Sequence, residues 1–324
     1  MILWVAHTFF TRPSINGYKP AMFADMVYGK AYKPFVYRIL LPATVRGIVA
    51  PIPESTRTSV NSLFKYDLNN GRWEKEYVLE YAIASLFITA CLIGFYVSLR
   101  YLCTSLYAVR SLEVDLLSLA GVAVLPSFFG YYGYLYDFPT LFLFTLSLGL
   151  MVNQKWTAYS IVFIIGCLNK ETTILLTMVF VINQSKGVFA LSRRRFLQLL
   201  AIQLAAFGII KAVLFLIFQD NPGSFVEFHL IDHNMQLAGR IGLAAFIVLP
   251  AVVVFVISGW GHKPLFLRNA LWILVPLVAL TGFLGYVDEL RDYYEVYPVI
   301  LLLCFPTVGR AFKVSIEPSS TAKS

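Results

Sequence analysis

The stretch Tyr77-Val-Leu-Glu-Tyr-Ala-Ile-Ala-Ser-Leu-Phe-Ile-Thr-Ala-Cys-Leu-Ile-Gly-Phe-Tyr-Val-Ser-Leu99 carries one charged residue, Glu80, among aliphatic and aromatic side chains. A helix needs roughly 20 mostly apolar residues to cross a bilayer, and this run supplies them. Phe196–Phe218, Ile241–Ser258 and Asn269–Tyr286 read the same way. Shorter apolar runs lie at Val114–Gly130, Phe138–Val152, Trp156–Leu168, Thr172–Ile182 and Tyr293–Val308. Across all 324 residues, 58% are hydrophobic, 14% are charged and the mean hydropathy is +0.71. A soluble domain carries about 45–50% apolar and about 25% charged residues. These numbers exclude a soluble domain, an intrinsically disordered chain, a collagen-like fibre and a disulfide scaffold. The 27 Phe and 19 Tyr also suit a bilayer and its interfaces.

Met1–Phe10 is apolar but covers only about 15 Å of helix. It lacks the basic start of a signal peptide, so the expectation is a first span that begins before this chain does. Counting it gives an all-α, polytopic membrane helix bundle of about ten membrane segments, several of them short, in one integral membrane domain over residues 1–324. The two short runs around Asn169 are either two segments or one long broken one.

Loop charge orients the segments. Residues 100–112, 153–155, 184–195, 260–268 and 309–324 hold twelve Lys and Arg against one acid, Glu317. Residues 131–137, 169–171, 219–240 and 287–292 hold eight acids against Lys170, Arg240 and Arg291. The positive-inside rule places the first set, with the 309–324 tail, in the cytoplasm and the second outside. Thr11 to Glu76 is then an extracytoplasmic loop. Long loops cross whatever their charge. Phe35–Val49 within it has helical apolar spacing, with Arg38 and Arg46 on one face, and reads as a juxtamembrane helix in the interface. In such a protein the net charge of +8 serves topology, and nucleic acid is not expected as a partner. Membrane lipids are. The four cysteines have no metal-ligand spacing and read as buried free thiols.

No P-loop, GxGxxG, HExxH or GxSxG occurs, so no cofactor is indicated. The candidate chemistry lies in the outer segments. Asp25 is the one acid between Thr11 and Pro53, among Lys19, Lys30, Lys33 and Arg38. It is either a solvated loop residue or an ionised base or metal ligand. Arg38 can meet a phosphate bidentately or snorkel to headgroups. Asp137 follows four tyrosines and precedes Phe138-Pro139, which also suits a plain helix N-cap. Leu168-Asn-Lys-Glu-Thr-Thr173 puts polar residues at membrane depth, a functional pointer, or else a cap with a Lys170–Glu171 surface pair. Glu289, Arg291 and Asp292 form either a packing network or part of a site. His229 and His233 could be metal ligands one turn apart, although a solvated loop is the plainer reading. Lys211 is the clearest ionisable residue inside a strong span.

Taken in order, Asp25, Pro34-Phe-Val-Tyr-Arg-Ile-Leu-Leu-Pro42, Tyr136-Asp-Phe-Pro139, Asn169-Lys-Glu-Thr172 and Glu289-Leu-Arg291 resemble a pattern of bacterial multi-pass proteins. These belong to the GT-C superfamily, the polyprenyl-phosphate-dependent membrane glycosyltransferases, and to its small relatives. The Asn-Lys-Glu-Thr is similar to an Asn-Arg-Glu-Thr box. The resemblance implies sugar transfer from a polyprenyl-phosphate-linked donor on the outer face of the bacterial cytoplasmic membrane. It gives Asp25 the role of general base, with a divalent metal beside it left open. It has Arg38, Lys170 or Arg291 neutralise the departing lipid phosphate, and Asn169, Asp137, Glu171 and Glu289 line the pocket. Many members carry paired acids where this chain has Asp25-Met26, and most have a soluble outer domain that is absent here. On this reading Asp25, Arg38, Asp137, Lys170, Glu171, Glu289 and Arg291 line one outward-facing cavity. A lipid-linked glycan transporter and a non-catalytic subunit of an envelope assembly complex are the rival classes.

Overall fold

A computed structural model describes residues 1–11, 15–63, 73–231, 233–239, 243–314 and 316–319. The fold is all-α. Fourteen α-helices follow one another among the described residues: α1 (Ile2–Thr11), α2 (Phe23–Val27), α3 (Leu40–Val49), α4 (Glu54–Leu63), α5 (Val78–Leu106), α6 (Ser111–Ala123), α7 (Asp137–Val152), α8 (Trp156–Asn169), α9 (Leu175–Ser185), α10 (Arg193–Ile217), α11 (Leu243–Ile257), α12 (Leu265–Ala270), α13 (Leu274–Leu284) and α14 (Tyr297–Ala311). Two two-residue strands, β1 (Tyr107–Ala108) and β2 (Glu317–Pro318), pair antiparallel.

Four helical runs are long and apolar enough to cross a membrane: Lys75–Leu106, Ser111–Phe128, Arg193–Ile217 and Leu265–Leu284. Six apolar helices are shorter, among them α1, α7, α8 and α14. The long runs overlap the sequence expectations, because unbroken apolar residues leave a helix as the one way to satisfy the backbone in lipid.

α5 is the axis of the bundle. Its buried Tyr81, Ala84, Ile88, Leu92, Phe95, Leu99 and Leu102 recur every three or four residues, the spacing of one helical face. Around α5 pack α1, α3, α6 and α7. Gly94 lets α7 come close: a Cβ there would lie 2.7 Å from the Phe142 ring. Small residues at helix crossings do this in membrane bundles. α10 instead exposes Ile209, Val213, Leu216 and Ile217, and α11 exposes Val253, Val254 and Ile257. Such broad outward apolar faces belong to a membrane protein.

Side-chain bonds identify the two ends of the bundle. Asn169, last in α8, donates to the Tyr136 carbonyl at the start of α7. At the other end Asn153, just past α7, donates to Ser105 near the end of α5, and Ser319 N–H reaches the Leu106 carbonyl. Segments read from charge as outer cluster at the first end. Those read as cytoplasmic lie at the second.

Some expectations need correction, and one open alternative is resolved. Phe35–Val49 is not one helix: a 3-10 turn over Phe35–Tyr37 precedes α3, and Arg38 sits between the two. Leu41, Val45 and Val49 of α3 are buried against the bundle, so it is packed within the protein rather than merely lying on the interface. The runs around Asn169 do not merge. The chain reverses there, and Trp156 of α8 lies edge-on to Phe180 of α9, with ring centroids 5.5 Å apart. The polar α4, with no buried residue, carries no apolar signal and was not anticipated. Of the charges counted in the loops, Asp232, Arg240 and Lys323 lie outside the described residues. Cys103 and Cys167 are buried free thiols as expected, whereas Cys91 and Cys304 are only partly buried.

Candidate functional site

The ends of α7, α8, α9, α13 and α14 and the turn before α3 enclose a cavity of about 300 Å³. That is the lower end of the roughly 300–1,000 Å³ of small-molecule sites. Arg38, Lys170, Glu171, Glu289 and Arg291 line it. Asp137 and Asn169 stand just behind.

Its charges form three groups. Arg38 Nε donates to Glu171 Oε2 at 3.2 Å, and Lys211 Nζ reaches Glu171 Oε1 at 3.5 Å. Two cations share one carboxylate here, leaving this wall positive. Burial acts to raise the Glu171 carboxyl, but Arg38 and Lys211 outweigh it and hold the group at about 2. In the second group Arg291 Nε donates to Glu289 Oε1 at 2.6 Å, and its Nη1 lies 3.4 Å from Asp137 Oδ1. Two carboxylates share one cation, leaving this wall negative. Burial, with Asp292 and Asp137 nearby, keeps the Glu289 carboxyl above its usual range against the pull of Arg291. On the floor Lys170 Nζ lies 3.0 Å from Glu295 Oε1, which also accepts from the Thr172 hydroxyl. The adjacent Lys170 and Glu171 thus turn to different partners instead of pairing with each other.

Asp137 is the first residue of α7 but does not cap it. Its Oδ2 accepts from Tyr134 N–H at 2.9 Å. That turn carries the aromatic frame of the site. Tyr134 and Tyr136 stack with ring centroids 5.2 Å apart. Arg291 lies 4.1 Å over the Tyr134 ring and Arg38 lies 4.2 Å over the Tyr136 ring. Both are within the distance of an effective cation–π contact. Each guanidinium is thereby seated on its own tyrosine of the stacked pair. Leu277, Leu280 and Leu284 of α13, with Phe225 and Val226, make an apolar side.

Residues 225–229, of which His229 was read as part of a solvated loop, border the cavity. Asn221 Nδ2 donates to the Gly29 and Ala31 carbonyls. Asn234 Nδ2 donates to the carbonyls of Thr281, Gly282 and Gly285, satisfying groups that the end of α13 leaves open. Pinned at both ends, the segment presents Glu227 and His229 to the cavity. Glu227 accepts from the Tyr18 hydroxyl at 3.1 Å, and His229 Nε2 lies 3.6 Å from it. His233 pairs with Asp288 at 2.9 Å. The two histidines therefore serve separate carboxylates, and among the described residues no three His, Cys, Asp or Glu side chains are grouped to hold a metal ion.

Asp25 does not join this cavity. It lies on α2, half-buried, and its backbone carbonyl accepts from the N–H groups of Lys30 and Ala31. Its carboxylate faces Glu74, whose own carboxyl is raised by burial, by Asp25 and by Glu76. Phe23, two residues earlier, stacks on Tyr81 of α5, and this anchors α2 away from the α7–α13 side. Residues not singled out from sequence are Tyr18, Glu227 and Glu295. Glu295 stood at the edge of the acidic 287–295 stretch, and its burial was not legible from spacing. The chain matches no family model, no characterised protein and no solved structure in comparison with them.

Proposed function

We propose that this protein is a membrane glycosyltransferase that takes a sugar from a polyprenyl-phosphate donor. The observation that carries the reading is the pair Arg38 and Arg291, each over a tyrosine of the stacked Tyr134–Tyr136 pair, in a cavity with one apolar wall. Arg38 and Lys170 offer a phosphate the charge-assisted donors it needs. The tyrosine rings and the paired carboxylates suit a sugar, which has apolar faces and hydroxyl rims. Leu277, Leu280 and Leu284 suit the first isoprene units. In this proposal the ten apolar segments cross the bacterial cytoplasmic membrane and the cavity opens outward, as the loop charges argue.

The chemistry is an inverting displacement. An acceptor hydroxyl forms a bond to the anomeric carbon on the face opposite the phosphate. The bond from that carbon to the phosphate oxygen breaks, and its electron pair leaves with the lipid phosphate. Arg38 and Lys170 stabilise that developing charge from fixed positions in a poorly hydrated site. The acceptor proton passes to a carboxylate. No step requires a metal, and a metal beside Asp25 is not part of the proposal.

The test uses the full chain in lipid nanodiscs. Wild type should bind undecaprenyl phosphate and release it from one of a panel of radiolabelled undecaprenyl-phosphate hexoses when acceptor lipids are present. Arg38→Gln should weaken undecaprenyl phosphate binding about tenfold or more, the loss of a charged hydrogen bond worth about 1.5–3 kcal/mol. Absence of undecaprenyl phosphate binding by wild type would overturn the reading.

A further inference from the structure

Resting on the transfer reading, we propose that Asp292 is the general base that takes the proton from the acceptor hydroxyl. Four carboxylates line the cavity: Glu171, Glu227, Glu289 and Asp292. A base must have a lone pair free to meet the incoming hydroxyl. Glu171 has both oxygens engaged, by Arg38 and Lys211, while Glu289 has one on Arg291 and Glu227 has one shared by Tyr18 and His229. The Asp292 carboxylate makes no hydrogen bond or ion pair with the described residues, although it lies in the turn that holds Glu289 and Arg291.

Asp292 also has room made for it. Its Oδ2 approaches Gly285 so closely that a Cβ on that residue would lie 2.8 Å away. Gly285 has ordinary extended backbone, φ −132° and ψ −165°, which any residue can adopt. What its hydrogen provides is space beside the carboxylate. The charged and titratable groups in electrostatic reach of Asp292 are Tyr136, just before α7, Asp137 at the start of α7, and Glu289, Arg291 and Tyr293 from its own turn. It lines the cavity beside Glu289 and Arg291. A sugar phosphate docked on Arg38 and Lys170 turns its anomeric carbon away from those two cations and toward the Asp292 side. The acceptor oxygen bonds to that carbon, its proton goes to Asp292, and the lipid phosphate leaves on the Arg38 side.

The experiment measures transfer and undecaprenyl phosphate binding together for wild type, Asp292→Asn, Gly285→Ala, Glu227→Gln and Asp25→Asn in nanodiscs. Asp292→Asn should cut transfer by about 10²–10⁴-fold, the usual cost of removing a general base, while undecaprenyl phosphate binding is kept or tightened. Gly285→Ala, which displaces the carboxylate but keeps its charge, should lower transfer in the same direction with binding kept. Transfer retained by Asp292→Asn, or a loss confined to Glu227→Gln or Asp25→Asn, overturns the proposal and leaves the transferase reading standing. Equal loss of binding and transfer in Asp292→Asn makes the residue structural and also overturns it. A wild type that binds no undecaprenyl phosphate removes the reading and the proposal together.

Discussion

Arg291 Nη1 stands 3.4 Å from Asp137 Oδ1, joining two residues 154 positions apart in the chain. Both side chains are buried, 8% and 3% exposed. The contact ties the start of α7 to the turn between α13 and α14, and so closes one side of the cavity. A second carboxylate, Glu289, shares the same guanidinium.

Removing the shared cation should therefore cost more than removing either acid. Arg291→Met leaves two buried carboxylates without their partner, a loss of about 3–5 kcal/mol. Asp137→Asn keeps the Glu289 bond and should cost about 1–3 kcal/mol. Thermal unfolding midpoints in detergent would rank the two. Equal shifts would mean that Glu289 does not hold Arg291 in solution.

The close α5–α7 crossing makes a separate expectation. Gly94→Ala drives a methyl into the Phe142 ring, 2.7 Å away, and should destabilise by about 1–3 kcal/mol through overpacking. Gly208→Ala on α10 meets nothing within 4 Å and should be neutral or mildly stabilising, since alanine favours helix. The same melting assay reads both. A neutral Gly94→Ala would show that the helices pack less closely than described.

Glu171 gives the acid dependence of stability. Its folded carboxyl titrates at about 2, below the usual carboxylate range near 4.3. Between those values the unfolded chain binds more protons, so stability rises with pH through the window. The contribution is complete above the unfolded value and is lost as pH falls toward about 2. Glu171→Gln should flatten the unfolding midpoint between pH 3 and 5, roughly that window, and lower it at neutral pH by leaving Arg38 and Lys211 unpaired. Parallel acid limbs in variant and wild type would remove Glu171 as the source.

Topology can be read with single cysteines in intact cells. Ile231, two residues past the cavity-lining His229, is 75% exposed, so Ile231→Cys should react with a membrane-impermeant maleimide. Arg194→Cys, at the opposite end of the bundle, should react only after permeabilisation. Reaction of Arg194→Cys in sealed cells would invert the orientation that the loop charges imply.

Most of the charged residues that gather at the cavity were visible as separate short motifs. Arg38, Asp137, Asn169, Lys170, Glu171, Glu289 and Arg291 all sit at chain reversals on one end of the bundle, because helices that alternate direction bring every second loop to the same side. Asp25 shares that sequence neighbourhood but not the cavity. Phe23 and Tyr81 stack with ring centroids 3.8 Å apart, and that contact, which spacing cannot foretell, sets α2 on another face. Lys211 looked like a lone charge in a span, and its partner, Glu171, lies 40 residues away in the chain.

Sequence alone determined that this is a helical membrane protein and which loops share an end. Bilayer thickness sets the length of an apolar helix, and backbone groups in lipid can be satisfied only within it. Tertiary structure alone decided which charges meet: Arg38 with Glu171, Lys170 with Glu295, Arg291 with Asp137 and Glu289. A buried charge requires an opposite one, a condition any of several acids could satisfy. The choice among them falls to whichever helix ends abut. That is set by packing between residues far apart in the chain, such as Gly94 against Phe142.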